Sequence, residues 1–192
     1  VPSEHKVSFK ELKNPNGYKL VKTEGQENNI KAGQDTHTKF INKYETKGQA
    51  EIRAKKKLKG RELFNNEFKF NLSHDGKVER VVTNRGDGSV TFSGLEFTGD
   101  DVGHERVYEI SEMDTKAGGV QYDGHKEIVR ITAEDNGDGT IRTNVVYDSD
   151  GANFNNIYEA RGKVSLKAWK EIKGGKLEDG AFEFVVKDGE KV

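Results

Sequence analysis

Three polar side chains interrupt faces of the sequence that are otherwise apolar in alternation. An amine, a carboxyl and a carboxamide occupy these positions, at Lys56, Glu112 and Asn156. An unpaired polar group in a protein interior costs several kcal/mol, and an unpaired charge costs more. We therefore expect the three groups to satisfy one another by ion pairing and hydrogen bonding. The apolar residues that define the three faces are Ile52, Ala54 and Leu58, then Tyr108 and Ile110, then Phe154 and Tyr158.

The elements that must position these groups are short strands. Apolar residues recur with a period of two through most of the chain, and no segment of convincing length has the helical period. Turn-forming pairs such as Asn65-Asn66, Asp75-Gly76 and Asp138-Gly139 separate the alternating segments. Several short strands with turns at this spacing predict an all-β fold, an antiparallel β-sandwich of the immunoglobulin-like type.

The sequence also contains an internal repeat with an offset of about 114 residues. The segment 40–45 resembles 154–159, and the segment 54–60 resembles 168–174. We predict three parts: residues 1–46 as the C-terminal part of one repeat, 47–160 as a complete repeat, and 161–192 as the N-terminal part of the next.

The repeat supports two of the three polar positions. Lys170 aligns with Lys56 outside a lysine run, and Asn42 aligns with Asn156 rather than with the neighbouring Asn155. Lys170 and Asn42 are therefore possible partners of the same kind in the adjacent partial repeats. Their own polar partners are expected to lie outside this chain, unless the two partial repeats meet each other or a second molecule.

Glu112 has no second copy with which to compare it. Glu105 and Glu109 are nearby alternatives, but both fall on the opposite face of the alternation. Glu112 is therefore the acid that the pattern favours.

Composition excludes several classes of protein. The 192 residues include no cysteine, which removes disulfides, thiolate metal sites and cysteine nucleophiles. The 32 basic and 33 acidic residues are interleaved, which argues against a nucleic-acid-binding protein. No apolar run approaches the roughly 20 residues of a membrane span. The five histidines lack metal-ligand spacing, so we expect no metal and no cofactor.

Two short motifs are better explained as turns. Residues 85–87 spell Arg-Gly-Asp, an integrin-type tripeptide, within a turn. Residues 134–139 resemble the start of a calcium loop, but Val145 stands where an EF-hand needs a glutamate.

An ordered set of motifs resembles the isopeptide-linked pilin repeat domains of Gram-positive surface proteins, which are related to CnaB-like folds. The resemblance covers nearly all of 47–160. Each motif alone is weak, whereas the ordered set is fairly specific. The motifs are residues 54–61 with 68–70, 108–112, 119–123, 135–140 and 154–158.

The resemblance implies a covalent role for the three polar residues. In that family a lysine near the first strand bonds to an asparagine on the last strand, and a buried acid promotes the reaction. Carried over by motif, these are Lys56, Asn156 and Glu112. Burial favours a neutral amine, which is a nucleophile, and a protonated Glu112. This acid is expected to hydrogen-bond the Asn156 carbonyl and to carry a proton to the leaving ammonia.

The function implied is a structural stalk module of a cell-surface pilin or adhesin, outside the cell at the cell wall. The reaction occurs once per chain, so the protein is not expected to be an enzyme. Expected partners are adjacent repeats, other pilin subunits or a host surface ligand, with no nucleic acid and no membrane insertion. Two alternatives stay open. One is a host-ligand-binding module that uses loops 113–126 or 23–37, and the other is an engineered split or permuted scaffold for peptide ligation.

Overall fold

The computed structural model describes residues 5–25, 27–30, 33, 35–149 and 151–187. The chain divides after Ala160 into two compact units. The first contains all the strands of the described residues.

The alternation seen in the sequence forms strands, as predicted. The burial pattern of the longest strand alternates between buried and exposed positions over most of its length, because successive side chains of a strand point to opposite faces. Thirteen strands lie within the described residues: β1 His5–Ser8, β2 Tyr18–Glu24, β3 Glu27–Ile30, β4 Lys39–Tyr44, β5 Lys47–Lys59, β6 Lys69–His74, β7 Lys77–Thr83, β8 Ser89–Thr98, β9 Glu105–Glu112, β10 Val120–Gln121, β11 Lys126–Asp135, β12 Ile141–Tyr147 and β13 Ala152–Tyr158.

Two sheets make a sandwich from β5 to β13. One sheet has the order β10-β13-β5-β8, and the other has the order β12-β11-β9-β6-β7. A single cluster of buried apolar side chains from both sheets fills the space between them. The Phe70 ring of one sheet lies 5.2 Å from the Phe154 ring of the other, measured between ring centroids. The predicted all-β sandwich with antiparallel sheets is confirmed.

One strand pair in the sandwich is parallel. The first strand of the module, β5, lies beside its last strand, β13, and Phe154 pairs with Lys56 in that register. The remaining neighbours in the two sheets are antiparallel. The first and last strands of the module are therefore neighbours in one sheet, and this places Lys56 and Asn156 on adjacent strands.

Strands β1 to β4 precede the sandwich as two small antiparallel pairs, β1 with β3 and β2 with β4. The end of β4 contacts the turn between β11 and β12. The Tyr44 hydroxyl donates to Asp135 Oδ1 at 2.8 Å and accepts the Gly139 N–H at 3.1 Å. The backbones of Gly17 and Gly139 pass so close that a side-chain carbon on either would overlap the other chain segment. A defined joint therefore connects the preceding segment to the module.

Residues 161–187 contain no helix or strand in the structure. Their apolar side chains face solvent; Trp169, for example, is 86% exposed. The assignment of 161–192 to the start of another repeat, and with it the tandem arrangement and the three-part division, stays a prediction.

Candidate functional site

Lys56 enters the core because the inward face of β5 continues through it. Ile52 and Ala54 precede it on that face, and the lysine side chain is 0% exposed. Its Nζ lies 4.7 Å from the centre of the Phe68 ring. The backbone N–H of Lys56 donates to the Gly88 carbonyl at 2.7 Å, which fixes the strand at this residue.

Glu112 comes from the facing sheet. It is the last residue of β9 and pairs with Phe70 of β6, and its side chain is 0% exposed. Lys56 Nζ donates to Glu112 Oε2 at 2.8 Å. The sandwich core thus holds an ion pair between its two sheets, and neither side chain of the pair is accessible to water.

Asn156 completes the cluster from β13. Its side-chain nitrogen donates to Glu112 Oε1 at 2.8 Å, so one carboxylate contacts both the amine and the carboxamide. Its carbonyl oxygen accepts the backbone N–H of Asp123 at 2.7 Å. Among the described residues, no buried side-chain nitrogen or oxygen lacks a hydrogen-bond partner. The structure therefore brings together all three residues that the sequence singled out.

The carbonyl of Asn156 is held differently from the expectation. We expected a protonated Glu112 to bind this oxygen, but the oxygen faces the N–H of Asp123 and the amide nitrogen faces Glu112. The reason is that a backbone N–H can only donate, so it selects the amide orientation that presents an oxygen. Glu112 consequently contacts the nitrogen that would leave as ammonia.

Burial shifts the two charged groups toward their neutral forms. Desolvation lowers the pKa of Lys56 below its usual value, although the hydrogen bond that Lys56 donates to Glu112 opposes this. Desolvation likewise raises the pKa of Glu112, against the hydrogen bonds from Lys56 and Asn156. Both directions favour transfer of one proton from the ammonium to the carboxylate.

Sequence reasoning gave Asp123 no role, although it belongs to the 119–123 motif. Its carboxylate accepts the Asn155 N–H at 2.7 Å and contacts His125 Nδ1 at 2.7 Å. The ring of His125 in turn stacks on Phe154, with centroids 4.4 Å apart. In the sequence, Asp123 is marked only by the turn glycine that follows it, and an acid before a glycine is common in loops.

The other predicted site residues lie elsewhere. Asn42 is exposed on β4, where its amide nitrogen donates to Glu11 Oε1 at 2.8 Å. Lys170 lies in the second unit, with its Nζ 4.7 Å from the centre of the Phe182 ring. Their proposed partnership with adjacent repeats stays a prediction.

The alternative acids and the short motifs have ordinary surroundings. Glu105 pairs with Arg130, and Glu109 pairs with Lys126. Residues 85–87 lie in the turn before β8, and residues 136–140 connect β11 to β12. Within the described chain, no three histidine, aspartate or glutamate side chains are grouped to hold a metal ion. The described residues also include no helix of the length and apolarity that a membrane span requires.

Comparison with known proteins identifies the family. A family model described as FctA, the Spy0128-like isopeptide-containing domain, matches residues 52–159, which is more than half of the chain. No curated protein matches the sequence. Domains of the matched family are surface-associated pilin modules of Gram-positive bacteria, which associate with other pilin subunits. The matched range contains the whole cluster of Lys56, Glu112 and Asn156, and the chain belongs to this family of isopeptide-containing pilin domains.

Proposed function

We propose that this chain is a stalk module of a cell-surface pilin that stiffens itself by forming an amide bond between Lys56 and Asn156. Glu112 promotes the reaction, which occurs once per molecule, so the protein is not a turnover enzyme. The observation that carries this proposal is the position of the Glu112 carboxylate, 2.8 Å from both Lys56 Nζ and Asn156 Nδ2.

The carboxylate has the geometry of a proton carrier. One of its oxygens contacts the attacking nitrogen, and the other contacts the departing nitrogen. A proton that moves from Lys56 to Glu112 leaves a neutral amine, which can attack the carboxamide carbon. The same carboxyl then protonates the leaving group, so that ammonia departs.

Folding supplies the proximity. The amine and the carboxamide are brought together by the parallel pairing of β5 with β13, and water is excluded from their surroundings. Such an intramolecular reaction has a very high effective molarity, which accelerates attack on an ordinarily unreactive carboxamide.

The bond would suit a load-bearing role. It would close a loop of about 100 residues, which by the chain-entropy argument for disulfides is worth roughly 4–5 kcal/mol. A chain without cysteine has no disulfide to supply this stabilisation. We therefore place the module in a stalk at the cell wall, with adjacent repeats and other pilin subunits as partners.

The adhesin alternative is less well supported for loop 113–126. This loop carries Asp123, whose N–H contacts Asn156, and it therefore belongs to the cross-linking site. Loop 23–37 lies partly outside the described residues. No observation favours the engineered ligation scaffold.

The intact mass of the purified chain tests the proposal. The wild-type chain is expected to be lighter than its sequence by one ammonia, and a peptide joining Lys56 to Asn156 should appear after proteolysis. The Glu112→Ala and Lys56→Met variants are expected to have their full sequence mass, because the proton carrier or the nucleophile is missing. A wild-type chain of full mass would exclude the cross-link. A deficit of two ammonias would show that Lys170 and Asn42 react as well.

A further inference from the structure

We propose that the backbone N–H of Asp123 is the oxyanion donor of the cross-linking reaction, and that the Asp123 and His125 side chains are the positioning residues that aim it. This inference rests on the proposed Lys56–Asn156 reaction and assigns a role that the three reacting residues do not fill.

The donor already contacts the atom on which charge develops. When an amine attacks a carboxamide, the carbon–oxygen double bond opens and its electron pair moves to the oxygen. In this chain that oxygen is Asn156 Oδ1, and the Asp123 nitrogen lies 2.7 Å from it. Donors at about 2.7–3.1 Å from a developing oxyanion are the structural mark of such a site.

Glu112 is not placed for this task. Its two carboxylate oxygens contact Lys56 Nζ and Asn156 Nδ2. Glu112 therefore contacts the nitrogen of the carboxamide, whereas the backbone N–H of Asp123 contacts its oxygen. A preorganised donor of this kind stabilises the charged intermediate more strongly than water does, because it need not reorient during the reaction.

The segment that carries the donor is fixed where strand β10 ends. This strand pairs with β13 only at residues 120 and 121, opposite Tyr158 and Ile157. Beyond it, the N–H of Asn155 on β13 donates to Asp123 Oδ2 at 2.7 Å instead. The aspartate side chain thus replaces a strand partner and holds residue 123 against β13, one residue from the reacting carboxamide.

His125 anchors the other oxygen of the same carboxylate. Asp123 Oδ1 accepts the backbone N–H of His125 at 3.2 Å and contacts its ring Nδ1 at 2.7 Å. The imidazole stacks on Phe154, which is itself fully buried against Phe70. The Asp123 carboxylate is therefore held through both of its oxygens. The β13 backbone contacts one oxygen, and the His125 ring, which packs on Phe154, contacts the other.

The step balances with the groups present. A proton passes from the Lys56 ammonium to the Glu112 carboxylate. The amine lone pair attacks the Asn156 side-chain carbon, and the carbonyl electron pair moves to Oδ1 under the Asp123 N–H. Glu112 gives its proton to the amide nitrogen and takes one from the attacking nitrogen. The carbonyl reforms, the carbon–nitrogen bond breaks, ammonia leaves, and Glu112 ends protonated.

The test removes only the donor. The full chain is made by cell-free translation with either aspartic acid or its α-hydroxy counterpart, malic acid, at position 123. The two products keep the same side chain and differ only by an N–H replaced with an ester oxygen. Samples are quenched in denaturant at timed intervals, and the cross-linked fraction is read from the loss of ammonia. The ester chain is expected to react roughly 100- to 1,000-fold more slowly than the aspartate chain.

A matched ester at position 140 controls for the weakening of the backbone. The Thr140 N–H donates to Asp138 Oδ1 at 3.0 Å in the turn between β11 and β12, outside the site. Alanine and lactic acid at 140 are expected to give the same rate. Equal rates for the aspartate and ester chains at position 123 would overturn the inference while leaving the cross-link itself intact. A wild-type chain that never loses ammonia would instead overturn the proposed function.

The positioning role has its own readout. Asp123→Asn keeps a carbonyl oxygen for the Asn155 N–H, whereas Asp123→Ala does not. We expect the alanine variant to react about tenfold more slowly than wild type and the asparagine variant to recover most of the rate. In the Lys56→Met background, which leaves Asn156 unreacted, the residue-123 amide proton should exchange faster with solvent after Asp123→Ala. An alanine variant with the wild-type rate and exchange would remove the positioning role.

Discussion

At the scale of single residues, the site is a buried ion pair, Lys56 with Glu112, whose carboxylate also accepts a hydrogen bond from the Asn156 amide. Removing one partner of such a pair is far more costly than removing both, because the remaining charge has no compensation in the core. Lys56 and Glu112 both have side chains with no exposed surface. The unreacted site is therefore expected to be sensitive to single substitutions and tolerant of paired ones.

This asymmetry can be measured in chains that form no cross-link. Glu112→Gln alone leaves the Lys56 amine buried without its anion, whereas Lys56→Met with Glu112→Gln leaves an apolar side chain and a glutamine that still accepts from Asn156. We expect the single variant to be less stable by about 3 kcal/mol. Urea unfolding of the two chains provides the comparison, and equal stabilities would show that the pair is not desolvated.

Acid should destabilise the fold through carboxylates outside the site. Partial burial acts to raise the pKa of Asp101, but hydrogen bonds from Thr98 and Arg106 outweigh it and hold the pKa below its usual value. Hydrogen bonds from Lys19 and Lys43 lower the pKa of Glu45 to about 2. In the unfolded chain such groups take up protons at higher pH than in the folded chain, so a fall in pH favours unfolding.

We therefore expect the unfolding free energy of the Lys56→Met chain to fall as the pH drops from about 4.5 toward 2. Adding Asp101→Asn should make this pH dependence shallower, because one of the shifted carboxyls is then gone and every other group is the same. Urea titrations at several pH values measure both slopes. Identical slopes would contradict the proton linkage assigned to Asp101.

At the scale of elements, the site depends on how β5 is positioned against the turn that precedes β8. Gly88, in the turn before β8, accepts the Lys56 N–H through its carbonyl and has a φ of +82°. A side-chain carbon at Gly88 would overlap the carbonyl oxygen of Lys56. The turn can therefore approach β5 only because residue 88 is glycine.

Gly88→Ala is expected to shift β5 at Lys56, lowering stability by more than the roughly 1–2 kcal/mol of left-handed strain alone and slowing the loss of ammonia. Gly76→Ala is the matched control, since Gly76 has a φ of +73° but open space around it. Gly76→Ala should lower the stability through backbone strain but leave the rate of cross-linking unchanged. Thermal unfolding and timed mass measurements distinguish the two variants. Equal cross-linking rates would mean that the turn does not position the lysine.

At the scale of the whole molecule, the parallel pairing of β5 and β13 determines how force would pass through the module. The chain enters at the start of β5 and leaves at the end of β13, which lie at opposite ends of the paired strands. Tension on the chain therefore shears the two strands along each other. A covalent bond between Lys56 and Asn156 would carry that load directly.

Stretching single molecules by their ends tests this path. In the wild-type chain, the Lys56–Asn156 bond is expected to carry the force past the roughly 100 residues that lie between these two positions. The roughly 330–360 Å of extension that those residues would supply should therefore be absent. The Lys56→Met chain should release that length when the sandwich unfolds. The segments before β5 and after β13 extend equally in both chains and provide the internal control. Full extension of the wild-type chain would exclude a load-bearing bond.

The alternation of the sequence by itself determined the strands, the all-β class and the inward direction of Lys56, Glu112 and Asn156. These are local consequences of the two-residue period of a strand, which a sequence displays directly. The offset of about 114 residues between similar segments of the sequence also favoured Asn156 over Asn155 before any contact was known.

Only the tertiary structure decided what those side chains meet. The parallel contact of β5 with β13, the arrival of Glu112 from the opposite sheet and the N–H of Asp123 on the Asn156 carbonyl all join residues far apart in the chain. A backbone N–H has no residue type to mark it, and its direction depends on where β10 ends. That is why the sequence predicted the three clustered side chains but missed the donor that fixes the orientation of the amide.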